Sequence, residues 1–87
     1  MPQIGATIEQ MSTLSQKFSA EANDVSRLRG AVTSQISSTW WEGPAAQRFK
    51  SEWEGSYAPM LDRLQASLEE CATEVRNRSA AIEAAGS

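Results

Sequence analysis

The chain contains no histidine and a single cysteine, Cys71. Neither a Ser–His nor a Cys–His nucleophile can therefore be assembled. A lone cysteine closes no intrachain disulfide, and without histidine it anchors no metal site. Cys71 reads as a small apolar residue on the second stripe described below, the alternative being a cross-chain disulfide between two copies. No glycine-rich phosphate loop is present. Adjacent carboxylates such as Glu69 and Glu70 point in different directions on a helix, which makes them a poor acid/base pair. Neither an enzyme nor a bound cofactor or metal is expected.

Basic residues are also scarce, 8 Lys and Arg against 11 Asp and Glu, for a net charge of −3. Nucleic-acid binding needs clustered cations on one face, so it is not expected. No apolar run approaches the ~20 residues that span a bilayer, and stable membrane insertion is not expected either. The opening residues Met1–Gly5 hold neither a basic cluster nor an apolar core with a cleavage site. Any export would then follow a route without a cleavable signal peptide.

What is present is periodicity. Ile8, Met11, Leu14, Phe18, Ala22, Val25, Leu28, Val32 and Ile36 recur at steps of three and four, one apolar stripe on one helix. Thr7-Ile8-Glu9-Gln10 has the spacing of a capping box at its start. Gly30 interrupts it, at about 1 kcal/mol relative to alanine, and is expected to let another helix approach closely. A second stripe follows mid-chain: Ala46, Phe49, Trp53, Tyr57, Met60, Leu64, Leu68, Cys71, Val75 and Ile82, with Ser79 in the slot before the last. Pro59 removes a backbone donor, which predicts a kink at about residues 55–59 in one bent helix with the apolar phase running through it, the alternative being a break into two helices.

Between the stripes stands Ser38-Thr39-Trp40-Trp41-Glu42-Gly43-Pro44. Glycine with positive φ closes a helix and proline suits the first position of the next, so this stretch predicts a turn with Trp41 on the last turn of the incoming helix. The expected fold is all-α: a helix over about 7–40, a bend at 41–44 and a helix over about 44–85. Two rods of ~50 Å joined by so short a bend lie antiparallel. Eighty-seven residues in two helices bury little of their own apolar surface. A partner chain is therefore expected, converting the antiparallel two-helix hairpin into a four-helix bundle. The residues expected to pack the core or the dimer are Phe18, Val25, Leu28, Val32, Ile36, Trp40, Phe49, Trp53, Met60, Leu64 and Leu68. Trp40, four residues beyond Ile36, is expected between the helices with Trp41 at the hairpin's end, the alternative being that one of the two is only a solvent-facing cover.

A short chain with helical stripes on either side of a central Trp-x-Gly resembles the WxG family of small type VII (ESX, early-secreted-antigen) secretion proteins. Trp41-Glu42-Gly43 fits the motif, and Ala45-Ala46, Phe49 and Trp53 follow at the small-small-aromatic spacing such proteins show. Trp53-Glu54-Gly55 is a second match, read as lying within a helix because Phe49, Trp53 and Tyr57 keep helical phase across it. The resemblance implies a non-enzymatic helical hairpin that leaves the bacterial cytoplasm folded as a dimer, driven by a membrane ATPase. It further implies a two-part export signal: the bend, here Trp41 and Gly43, and a Tyr-x-x-x-Asp/Glu element after the second helix, usually of the partner.

This sequence departs from the second part. Its one tyrosine, Tyr57, is followed four positions on by Leu61, and no such element occurs in the tail. A heterodimer with a second WxG chain carrying the tail signal is therefore expected, with a homodimer as the alternative. A cytosolic helical adaptor that is never exported is a different class of function. Membrane disruption by the released hairpin is disfavoured by the net acidic charge.

Overall fold

The computed structural model describes residues 5–86; residues 1–4, read above for signal-peptide features, lie outside them. Three α-helices form, α1 (Ile8–Ser38), α2 (Pro44–Glu52) and α3 (Ala58–Ala85), with a π-helical turn at Trp53–Tyr57 between the last two. α1 packs along α3 as a helical hairpin, and no strand occurs among the described residues.

The seam between α1 and α3 obeys a stricter period than hydrophobicity alone suggests. Along α1 the inward positions are Ile8, Met11, Ser15, Phe18, Ala22, Val25, Arg29, Val32 and Ile36, in steps that alternate three and four without exception. Along α3 they are Ala58, Leu61, Gln65, Leu68, Ala72, Val75, Ser79 and Ile82, again alternating three and four. This is the heptad pattern, in which a 3.5-residue repeat keeps one seam facing the partner helix. The buried residues are all small: Ser15, Ala22 and Ala72 on the long helices, Ala46 and Ala58 at the bend end. Small side chains let the two backbones approach closely. The buried Ser15 hydroxyl is satisfied by the Ser12 carbonyl at 3.0 Å.

Two expected stripe positions are corrected by this pattern. Leu14 and Leu28 stand one position before the seam and remain 46% and 52% exposed, while Ser15 and Arg29 occupy the inward slots. Arg29 serves there because its stem packs while its head reaches the edge, where Nε lies 2.9 Å from Asp62 Oδ1. The N–H is not aimed along that line, so the contact is an ion pair rather than a hydrogen bond.

A kink was expected with the apolar phase unbroken, and here the structure differs. The Ala58 N–H bonds to the Trp53 carbonyl five residues back, so the turn holds one residue more than an α-helical turn. One extra residue rotates everything beyond it by about 100°. The inward phase therefore jumps from Ala46 and Trp53 to Ala58 and Leu61, and Tyr57, Met60 and Leu64 turn outward. Gly30 also differs from expectation: it is exposed, with nothing within 4 Å of where its Cβ would stand. Thr7 sits at the N-cap of α1 in extended conformation, but its hydroxyl makes no capping bond.

The result is a rod of 64 × 21 × 17 Å with a radius of gyration of 19.4 Å, where a compact chain of this length would have about 12 Å. Its accessible surface is 6646 Å², against about 5,000 Å² for a compact monomer of equal mass. The hairpin leaves much of its apolar surface uncovered.

Candidate functional site: the bend and the apolar side

α1 stops at Ser38, earlier than expected, because Thr39 turns extended at φ −84° and ψ 127°. The carbonyl of Gln35, left without a helical partner, accepts the Thr39 hydroxyl at 2.6 Å and the Ser38 hydroxyl at 3.3 Å. These hydroxyls close the helix. Gly43 has a different role from the expected one: it opens α2 instead of closing α1. Its φ of 114° and ψ of 177° fall in a region essentially reserved for glycine. The extended ψ also suits the residue before a proline. Pro44 occupies the first turn of α2, and Gln47 N–H reaches the Gly43 carbonyl at 3.0 Å. A Cβ at Gly43 would meet nothing within 4 Å. Backbone conformation, not space, requires glycine here.

Trp41 therefore lies beyond the end of α1. Its ring packs on Phe49 of α2, centroids 5.5 Å apart and tilted by 48°, and its carbonyl accepts Lys50 Nζ at 3.4 Å. Trp40, expected between the helices, is instead 86% exposed. The reason is that α1 ends at Ser38 and Thr39 turns extended, so the helical stripe that would have carried Trp40 inward stops before it. Val32, Gln35, Ile36 and Thr39 complete a notch of about 270 Å³ with Trp41 and Phe49.

Past the notch, the two long sides of the hairpin differ in chemistry. In an antiparallel pair, the positions just before the first seam residue of each heptad meet on one side, and those just after the second meet on the other. The second side carries Ser12, Ser19, Ser26 and Thr33 from α1 with Asp62, Glu69, Arg76 and Glu83 from α3, all polar. The first side carries Leu14, Glu21, Leu28 and Gln35 with Tyr57, Leu64, Cys71 and Arg78, and Met60 flanks it. Trp53 anchors the polar side, its Nε1–H donating to Thr33 Oγ1 at 2.9 Å, and its ring lies 6.3 Å from that of Tyr57.

The candidate packing residues thus divide. Phe18, Val25, Val32, Ile36 and Leu68 lie half-buried in the seam, and Trp53 joins them at the bend end. Leu28, Phe49, Met60 and Leu64 face outward, 40–53% exposed. The seam members Ser15, Arg29, Ala58 and Ala72 were missed because a hydrophobicity criterion favours the larger neighbour; strict three–four alternation was the signal that could have found them.

Lys17 is held above its ordinary pKa of 10.5 by the hydrogen bond and charge of Glu21, 2.9 Å away on the surface of α1. The charged form therefore persists through neutral pH, and the pairing fades only as pH rises past that value. Among the described residues no group of His, Cys, Asp or Glu is placed to hold a metal ion, and no helix is long and apolar enough to cross a membrane. In comparisons with known proteins, no family profile, no curated protein and no solved structure matches this chain.

Proposed function

We propose that this chain is a non-enzymatic helical hairpin, exported folded by a bacterial type VII (ESX) secretion system as a dimer with a second WxG-type chain. The observation that carries the proposal is the joint state of the bend and the side next to it. Trp41 is seated on Phe49 beside a glycine-only backbone at Gly43, and the adjoining apolar side chains are left in water. Such a side supports pairing with another hairpin into a four-helix bundle, since monomeric soluble proteins seldom leave large apolar patches open. The partner would supply the tail element that this sequence lacks, and the secretion ATPase would act on the pair. The protein would then reside outside the cytoplasm, in the cell envelope or the medium.

The test is export itself. Immunoblots of culture filtrate from a secretion-competent strain and from one lacking the ATPase are expected to show the protein only in the first. Retention in cells in both strains would replace the export proposal with that of a cytosolic helical adaptor. Co-purification with the product of the neighbouring reading frame would identify the partner.

A further inference from the structure

The exposed apolar side chains are not spread evenly along the rod. α1 and α3 run antiparallel with Arg29 beside Asp62 and with Met11 and Leu14 beside Ile82. On the apolar side this aligns Leu14 with Arg78, Glu21 with Cys71, Leu28 with Leu64, and Gln35 with Tyr57, in rows about 10 Å apart. The rows remote from the bend each contain a charge: Arg78, ion-paired with Glu74, and Glu21, ion-paired with Lys17. The Leu28–Leu64 and Gln35–Tyr57 rows near the bend contain none, and beside the Trp41–Phe49 pair Lys50 has its Nζ held by the Trp41 carbonyl. Leu28, Trp41, Phe49, Tyr57, Met60 and Leu64 make up this uncharged half, each 40–53% exposed.

We infer that this half is a self-docking surface, and that two copies of the chain pair antiparallel but staggered, overlapping only at their bend ends. Centring a two-fold axis on the Gln35–Tyr57 row sets Leu28 and Leu64 of one copy against Trp41 and Phe49 of the other. All charged rows then remain in water. Sliding the copies into full overlap would instead set Glu21 and Arg78 against Tyr57 and Phe49, desolvating charges without partners across the interface. The six side chains expose roughly 600 Å² per copy, judged from ordinary side-chain areas. Two copies would thus bury roughly 1,200 Å², the lower end of what specific protein pairs bury. A two-fold contact also uses one self-complementary patch on both copies, the commonest form of protein self-association. The pairing does not depend on export. It would cover the same side that a heterologous partner needs, so the two associations would compete.

Sedimentation equilibrium and small-angle scattering on the purified full-length chain, with Leu64→Glu, Met60→Lys and Ser26→Glu variants, test the inference. The wild-type chain is expected to form dimers in the micromolar range with a maximum dimension of about 100 Å, twice the 64 Å rod less the overlap. Leu64→Glu and Met60→Lys should each weaken the dimer at least tenfold with unchanged helical circular dichroism, since both positions are already exposed. Ser26→Glu, on the polar side, should leave it unchanged. A chain monomeric or unfolded up to millimolar concentration would overturn the inference. So would a dimer no longer than about 70 Å, or one weakened by Ser26→Glu and not by Leu64→Glu. These measurements use no secretion machinery, so their failure leaves the export proposal standing, and failed export leaves self-docking standing.

Discussion

Trp53 donates its indole N–H to Thr33 Oγ1 across 2.9 Å, and the Thr33 hydroxyl in turn donates a hydrogen bond to the Arg29 carbonyl at 2.8 Å. The chain of two bonds ties the π-helical turn to α1 at the point where the second rod changes phase. It uses both the donor and an acceptor of one hydroxyl, so neither partner is replaceable without loss.

Trp53→Phe keeps an aromatic ring but removes the donor together with the five-membered ring of a half-buried indole. It is expected to destabilise the hairpin by at least about 1 kcal/mol, the usual net worth of such a bond, which corresponds to roughly 4–8 °C or more in melting temperature for a domain of this size. Thr33→Val should lower stability by the worth of the bond, and the double variant by little more than Trp53→Phe alone, because both remove the same bond. Additive losses in thermal melts would show that the bond contributes nothing. The ~3–5 kcal/mol expected for truncating a fully buried ring does not apply to Phe49, which is 40% exposed; Phe49→Ala should lose about half of that or less.

Gly43 offers a sharper test of the bend. Its backbone, with φ 114° and ψ 177°, has open space around the missing Cβ. Gly43→Ala should therefore destabilise by about 1–3 kcal/mol through backbone strain alone. Gly43→Ala and Gly43→Ser should behave alike in chemical denaturation, because steric crowding plays no part. A marked dependence on side-chain size would contradict the conformational account.

Helix content and the packing of two helices across a mid-chain break were legible in the sequence, because they rest on period and punctuation; the break itself runs from Thr39 to Gly43 rather than over 41–44. The inward face was only half legible. Hydrophobicity places Leu14 and Leu28 in the seam, yet the heptad places Ser15 and Arg29 there, since a close helix pair selects for small residues and tolerates a long stem that reaches the edge. The expected Tyr57–Met60–Leu64 continuation failed for a different reason: the extra residue of the π-helical turn is invisible to a pattern scored at 3.6 residues per turn. Trp40 was misplaced because α1 ends before it, and a stripe cannot be extended past the last helical residue.

Gly30 lies in the interior of α1 with no atom within 4 Å of its Cβ position. Gly30→Ala is expected to stabilise the isolated hairpin by about 0.5–1 kcal/mol, through helix propensity and a less mobile unfolded chain. If a partner helix instead uses this gap, the same substitution should weaken the complex while stabilising the free chain. Thermal melts of the free chain and titration calorimetry with the co-purified partner separate the two effects.

Pro59 and the register of the seam are two possible causes of the π-helical turn, and substitution distinguishes them. Pro59 has no N–H to return to the Gly55 carbonyl, and its ring crowds that turn in a backbone that is helical on both sides, so the proline favours a widened turn. The seam demands one: Ala46 and Trp53 on one side and Ala58 and Leu61 on the other share a single inward face only if five residues separate Trp53 from Ala58. Pro59→Ala should therefore leave the turn in place and change stability by less than about 1 kcal/mol. Met60 should stay as open to solvent as before, read by thiol labelling of Met60→Cys with and without Pro59→Ala. Protection of that thiol in the double variant would mean that the helix had straightened, that Met60 and Leu64 had rotated toward the seam, and that proline had held them out.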